Sequence, residues 1–159
     1  MSANTINYSQ VVENTFTKKN FHFTSKETQK GMMYSFAMNS KSLPSIRFRL
    51  IVDEEGDSKL CSYLTSKVEE DKKDEMLAVL NNFNDRFRFV VLNIDQDDEV
   101  CASYDFGLYG DEEAVEEIVF DAIYLVSNII DKCAPDIMKV MWKEEENSEF
   151  IDSDSLFDE

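Results

Sequence analysis

The sequence has 159 residues, and its 33 acidic side chains outnumber 16 Lys and Arg, which gives a formal net charge of −17. This length predicts one domain with a real hydrophobic core. A chain this acidic is repelled by phosphate backbones, so we expect no nucleic-acid binding unless the cations of residues 1–50, where the net charge is +5, gather on one face. The apolar runs are too short to span a membrane, and we expect no signal peptide. The three cysteines have no paired spacing, which predicts free thiols and a cytoplasmic location.

The N-terminal part predicts a helix followed by four strands. Apolar residues recur at helical spacing from Asn7 to Lys19. A short strand is expected to start at Phe21–Phe23. Three longer runs alternate apolar and polar residues, with turns at Lys30-Gly31 and Glu54–Asp57: Met32–Asn39, Ile46–Asp53 and Ser58–Thr65.

The middle of the chain predicts a helix and a hairpin. A stripe made of Met76, Leu80, Phe83 and Phe87 indicates a helix from Lys72 to Phe87, and the spacing of Ser66–Glu69 is typical of a capping box. Two predicted strands follow, joined by the polar turn Asp95–Glu99. Arg88–Ile94 is expected to be partly buried on both faces, and Val100–Phe106 is expected to have one solvent-exposed face.

The last predicted element is a long helix that begins at the N-cap Asp111. From Val115 to Cys133 its apolar arc is wider than one sheet contact needs, so we expect a second partner, either another helix or another subunit. Pro135 should end or kink this helix near Ala134. The elements predict an α+β fold, an antiparallel sheet with helices packed on it, in the order α-β-β-β-β-α-β-β-α.

One segment carries a family resemblance. The residues Leu80-Asn-Asn-Phe-Asn84, Arg88-Phe89, Tyr104-Asp-Phe106 and Asp111–Ala114 resemble the YbjN-like family, bacterial proteins labelled as candidate sensory transduction regulators. The match is best from Met76 to about Ile130. The resemblance implies the fold of type III secretion chaperones, with helices on a twisted antiparallel sheet, often as a homodimer.

The C-terminal segment differs from the rest in composition. Residues 143–159 carry eight acids against one Lys, interrupted by Phe150, Ile151, Leu156 and Phe157. This composition predicts a disordered acidic tail after a single domain at residues 1–142. Its acidic–hydrophobic pattern can also dock in a groove.

No catalytic, cofactor or metal motif is found in the sequence. His22 lies between two phenylalanines, which favours an outward strand position over a general base. Cys61, Cys101 and Cys133 fall on separate elements in acidic surroundings, which should raise thiol pKa values and favours structural thiols. The turn Asp95–Glu99 lacks the glycine of a calcium loop. We therefore expect no enzyme, no cofactor and no metal.

The sequence favours a non-catalytic protein-binding module, chaperone-like or regulatory. Binding is expected at the wide face of the last helix or at an exposed sheet edge, with an unidentified protein or peptide and without membrane contact. The alternative is a sensor that closes its aromatic sheet face around a small apolar ligand. Six residues are candidates for partner binding: Arg47, Arg49, Phe120, Tyr124, Phe150 and Phe157.

Overall fold

A computed structural model of the protein describes residues 6–39, 41, 43 and 45–144. The elements, in chain order, are α1 Tyr8–Lys18, β1 Thr24–Thr28, β2 Gly31–Met38, β3 Ile46–Val52, β4 Asp57–Lys67, a 3₁₀ turn Glu70–Lys72, α2 Lys73–Arg86, β5 Val91–Ile94, β6 Glu99–Gly107 and α3 Glu112–Met141. The strands form one antiparallel sheet in the order β1-β2-β3-β4-β6-β5. The predicted α+β class and order of helices and strands are confirmed.

The core lies between one face of the sheet and the three helices. Helix α3 contacts α1, α2, β4 and β6, and eleven of its side chains are buried. Its wide apolar arc is therefore covered by helices and sheet of the same chain, which resolves the choice between a helix and a subunit as its second partner. That face is not accessible to a binding partner, contrary to the expectation from the sequence.

Phe16 of α1 is the centre of an aromatic cluster that joins α1 to the sheet and α3. Its ring has no exposed surface. Five rings have centroids between 5.1 and 6.3 Å from it: Phe21, Phe23, Tyr34, Phe36 and Phe120. Phe21 and Phe23 thus pack inward from the loop before β1, so the prediction that a strand starts there is wrong. Strand β1 is instead the polar run Thr24–Thr28.

Strand β4 is longer than predicted and includes the first two residues of the expected capping box, whereas α2 begins within one residue of its predicted start. After an irregularity beyond Tyr63 the pairing resumes at Lys67 and Glu99. The Thr65 hydroxyl accepts the Val100 N–H at 3.0 Å, so the ladder stays satisfied across the irregularity. Ser66 therefore belongs to the strand, and α2 begins at Lys73 without a side-chain cap. The predicted capping box is wrong.

Helix α3 begins where the sequence predicts and ends later. The Asp111 carboxylate accepts the Ala114 N–H at 2.9 Å, so Asp111 is the N-cap. Pro135 lies inside the helix, which continues to Met141. Proline costs a helix interior about 3 kcal/mol. Ala134 and Ile137, both fully buried, flank it, and burial of this last stretch offsets the cost. Of the two expected effects of Pro135, an end near Ala134 is therefore wrong, and a kink stays a prediction. No helix in the part of the chain that the structure describes is long and apolar enough to cross a membrane.

Strand β5 forms one edge of the sheet and is shorter than predicted. It contains only Val91–Ile94, because Phe89 has a φ of 72° that breaks the extended run. Phe89 and Val91 are exposed, whereas Val90 and Leu92 are buried. The expectation that both faces are partly buried is therefore wrong.

A side chain of α2 covers the outer edge of β5. Asn84 accepts the Leu92 N–H and donates to the Leu92 carbonyl, both at 2.8 Å. Its amide thus takes the place of a neighbouring strand at the point where an edge would otherwise offer free backbone groups. The last Asn of the family-like segment therefore has a structural role.

Replacing Asn84 by Ala should expose this edge. Two side-chain hydrogen bonds contribute about 1 kcal/mol each, so we expect Asn84→Ala to lower the free energy of unfolding by about 1–2 kcal/mol. Hydrogen exchange of the Leu92 amide should accelerate at the same time. Asn81→Ala, at an exposed position of the same helix, is the control and should change stability by less than about 0.5 kcal/mol. Unchanged exchange at Leu92 in Asn84→Ala would contradict this role.

Candidate functional site: the open face of the sheet

In the part of the chain that the structure describes, no helix covers the second face of the sheet. Because side chains alternate along a strand, neighbours of the buried core residues point to this open face. The register aligns them in two adjacent rows across the sheet. One row is Ser35, Arg49, Cys61, Ser103 and Val91, and the next is Ala37, Arg47, Tyr63, Cys101 and Asn93. These ten residues are the centre of the open face.

The open face holds two arginines against one aromatic ring. The guanidinium carbon of Arg49 lies 5.1 Å from the centroid of the Tyr63 ring, and that of Arg47 lies 5.6 Å from it. Both distances are within the range of cation–π attraction. Burial raises the pKa of Tyr63, so its ring stays neutral and can hold both cations at physiological pH. The two candidate arginines are therefore held together.

Charge on this face differs from that of the chain as a whole. Arg47 forms an ion pair with Glu99 at 3.3 Å, and Lys59 lies 3.9 Å from Asp105. Arg49 has no carboxylate within ion-pair distance among the residues that the structure describes. Asp95 is a third acid here, since its charge acts on Tyr63 and Cys101. The three cations therefore face three acids, and the open face is close to neutral in a protein of net charge −17. Arg49 is the cation of this face that can attract a further carboxylate.

Two cysteines of the open face lie side by side. Cys61 is opposite Ser103 and Cys101 is opposite Tyr63, so the two cysteines are diagonal neighbours on β4 and β6. The neighbouring Cys101 thiol, which donates to the Ala102 carbonyl at 3.7 Å, lowers the pKa of Cys61 to about 7 together with Lys59 and Arg49, although burial and Asp105 oppose the shift. The pKa of Cys101 is raised, first by this contact with Cys61 and then by burial.

This pair corrects the expectation that acidic surroundings would raise every thiol pKa. The predicted direction is found at Cys101 and Cys133, but the main cause is the contact with Cys61 at the first and burial at the second, which raises the pKa of Cys133 to about 12. It is wrong for Cys61, because the local environment is a neighbouring thiol and two cations rather than the acidic average. Sequence order hides this arrangement, since α2 and β5 separate the two strands that pair.

The other candidate residues lie elsewhere. Phe120 is half-buried in the aromatic cluster, and Tyr124 is exposed on α3, so both are on the helical side of the sheet, away from Arg47 and Arg49. Phe150 and Phe157 lie outside the described residues. His22 is exposed in the loop before β1. In the Asp95–Glu99 turn, the Asp95 carboxylate accepts two backbone N–H groups, as expected of a hairpin turn. No group of three or more metal-ligating side chains occurs among the residues described.

The reactivity of Cys61 can be measured directly. Alkylation of the folded protein by iodoacetamide should modify Cys61 with a rate that rises through a midpoint near pH 7, because the thiolate is the nucleophile. Cys133, fully buried, should remain unmodified. Lys59→Gln should move the midpoint to higher pH, whereas Lys139→Gln, an exposed charge on α3, should leave it in place. A Cys61 midpoint at about 8.5, that of an ordinary thiol, would contradict the assignment.

The comparisons with known proteins place the fold. No protein-family model matches the sequence, and no curated protein matches it. Among solved structures the chain is similar to the crystal structure of YbjN, a candidate transcription regulator from E. coli. The two are 13% identical with a TM-score of 0.54, over 80% of this chain and 91% of that chain. The chain has a YbjN-like α+β fold.

Proposed function

We propose that the protein is a non-catalytic regulatory module that binds an acidic, extended segment of a protein partner on its open face. The observation that carries this proposal is the pair of guanidinium groups, Arg47 and Arg49, held over Tyr63 on a sheet face that none of the described helices covers. The description of the YbjN structure as that of a candidate transcription regulator is in keeping with a regulatory role.

The chemistry of the arginines favours a carboxylate ligand. A guanidinium that lies against a ring keeps its N–H groups available at its edges, and their fork matches the two oxygens of a carboxylate. Arg49 has no competing carboxylate within ion-pair distance in the described part of the chain, and the pair between Arg47 and Glu99 is more than half exposed on the arginine side. An incoming acidic segment can therefore engage both groups without first breaking a buried ion pair.

An extended segment suits this surface better than a compact one. The open face is a pleated surface whose half-buried apolar positions, such as Met33 and Ile51, lie beside the cations. A peptide that alternates acidic and apolar side chains would meet both chemistries at once. The homodimer and the cytoplasmic location remain part of the proposal; the three cysteines are all free, which fits a reducing compartment.

The sensor alternative has no comparable observation in its favour. Of the aromatic residues expected to close around a ligand, Tyr34 and Phe36 are buried against Phe16, and the half-buried Tyr104 stacks on Phe106 with ring centroids 5.1 Å apart. The Tyr34 hydroxyl donates to the Ser9 carbonyl at 3.0 Å, and burial raises the pKa of Tyr34 to about 12. A concavity of about 1140 Å³ does lie beside the start of α1, but charged and polar residues such as Glu13, Glu27 and Lys30 line it. A small apolar ligand fits neither place well.

The test is capture of a partner from host lysate with three versions of the full chain. The wild type should retain one reproducible protein that carries an acidic segment, identified by mass spectrometry. The double variant Arg47→Gln/Arg49→Gln should lose it. Lys139→Gln, which removes one cation from the helical side, should retain it. Equal retention by the double variant would overturn the proposed site, and absence of any partner would overturn the proposed function.

The chain's own residues 143–159 have the chemistry of the proposed ligand, with net charge −7 and two phenylalanines. We propose that this segment docks on the open face in cis. NMR spectra of full-length protein and of residues 1–142 should then differ at the Arg47, Arg49 and Tyr63 amides, and added salt should remove the difference. Identical spectra would rule out docking.

A further inference from the structure

We propose that Cys61 and Cys101 form a peroxide-oxidisable dithiol, in which Cys61 is the attacking residue, Cys101 the resolving residue, and a reversible disulfide between β4 and β6 the product. This inference rests on the two thiols and is independent of the proposed partner. The register makes the residues diagonal neighbours on one face of the sheet, and each thiol shifts the pKa of the other. Diagonal neighbours lie about 7–8 Å apart, slightly beyond the usual Cα separation in a disulfide, so closing the bond calls for a small shift of the strands as well as side-chain rotation.

The two thiols are unequal in a way that separates the two roles. Cys61 is partly exposed on the open face, whereas Cys101 is only 5% exposed. Arg49 lies directly opposite Cys61 and Lys59 lies two residues along the same face, so two cations stabilise a thiolate at Cys61. Asp105 is the acid that faces them. At neutral pH Cys61 is therefore the more ionised of the two thiols and Cys101 stays protonated, which is the distribution that such a pair needs.

The reaction balances with hydrogen peroxide as the oxidant. The Cys61 thiolate attacks one peroxide oxygen, the O–O bond breaks, and the departing hydroxide takes a proton to become water, which leaves a sulfenic acid on Cys61. The Cys101 sulfur then attacks the Cys61 sulfur. The S–O bond breaks, the S–S bond forms, and the leaving hydroxide takes the Cys101 proton as a second water. Two thiols lose two electrons, and one peroxide gains them.

The third cysteine is an internal control. Cys133 is fully buried in α3, on the helical side of the sheet, and burial raises its pKa to about 12. It has neither the accessibility nor the ionisation that peroxide attack demands. Specific oxidation of Cys61 and Cys101, with Cys133 spared, is therefore the signature of the proposed site.

The experiment uses the reduced full-length protein with hydrogen peroxide, followed by alkylation of the remaining thiols and peptide mass spectrometry. The wild type should lose two thiols and yield one peptide pair linked through Cys61 and Cys101, which dithiothreitol reverses. Cys101→Ser should stop at a sulfenic acid on Cys61 that dimedone traps. Cys61→Ser should leave Cys101 reduced. Cys133→Ser should react at the wild-type rate.

Oxidation of Cys61 should be roughly tenfold or more faster than that of Cys133, because thiolate fraction and access both favour it. Circular dichroism of each variant checks that it is folded. Three results would overturn the proposal: equal rates at Cys61 and Cys133, sulfenic acid in the wild type without the linked peptide, or a disulfide that joins two chains.

Discussion

The structure depends on the burial of one face of a six-stranded sheet under three helices. The aromatic cluster around Phe16 and the long apolar arc of α3 remove that face from water, and each fully buried aromatic or aliphatic side chain contributes about 1.5–3 kcal/mol. A slip of one residue in any strand would turn its apolar set toward solvent, so burial also sets the register. The register then decides which side chains meet on the other face.

The open face is thus a consequence of the core. Arg47 and Arg49 alternate along β3 with three buried residues, Ile46, Phe48 and Leu50. Because those three side chains point into the core, the arginines point to the opposite face. The same alternation puts Cys61 and Tyr63 on the open face of β4. None of the helices among residues 6–144 packs on this face. That surface is free to carry charged and reactive groups at little cost to stability, since surface substitutions usually change it by less than about 0.5 kcal/mol.

Local patterns predicted the elements well and their ends less well. Alternation identified β2, β3, β4 and β6, and the cap at Asp111 marked the start of α3. Two of the failures concern places where tertiary contacts override local preference. Buried neighbours carry the helix past Pro135, and Thr65 extends β4 through an irregularity. Neither contact is visible in a window of a few residues. At Phe89 the break is local, because the Val90 N–H bonds to the Arg88 carbonyl at 2.8 Å and closes a tight turn before β5.

The candidate site was predictable only where its residues lie on one strand. The alternation within β3 was enough to pair Arg47 with Arg49, because both residues lie on one strand. Tyr63, Cys61 and Cys101 join them only through the order β3-β4-β6, and β5 and α2 intervene in the sequence between β4 and β6. Average composition also misled, since a chain of net charge −17 suggested raised thiol pKa values while the neighbours of Cys61 include Lys59 and Arg49.

Arg49 links the two proposed properties of the open face. It stabilises the Cys61 thiolate from the opposite strand, and it is one of the two guanidinium groups offered to an acidic segment. A carboxylate bound at Arg49 would compete with the thiolate for the same positive charge, so binding would raise the pKa of Cys61 and slow its oxidation. Disulfide formation would remove the thiolate charge and leave Arg49 to the carboxylate alone. Linkage requires the two effects to be reciprocal. If an acidic ligand raises the pKa of Cys61, then loss of the Cys61 thiolate charge must make that ligand bind more tightly.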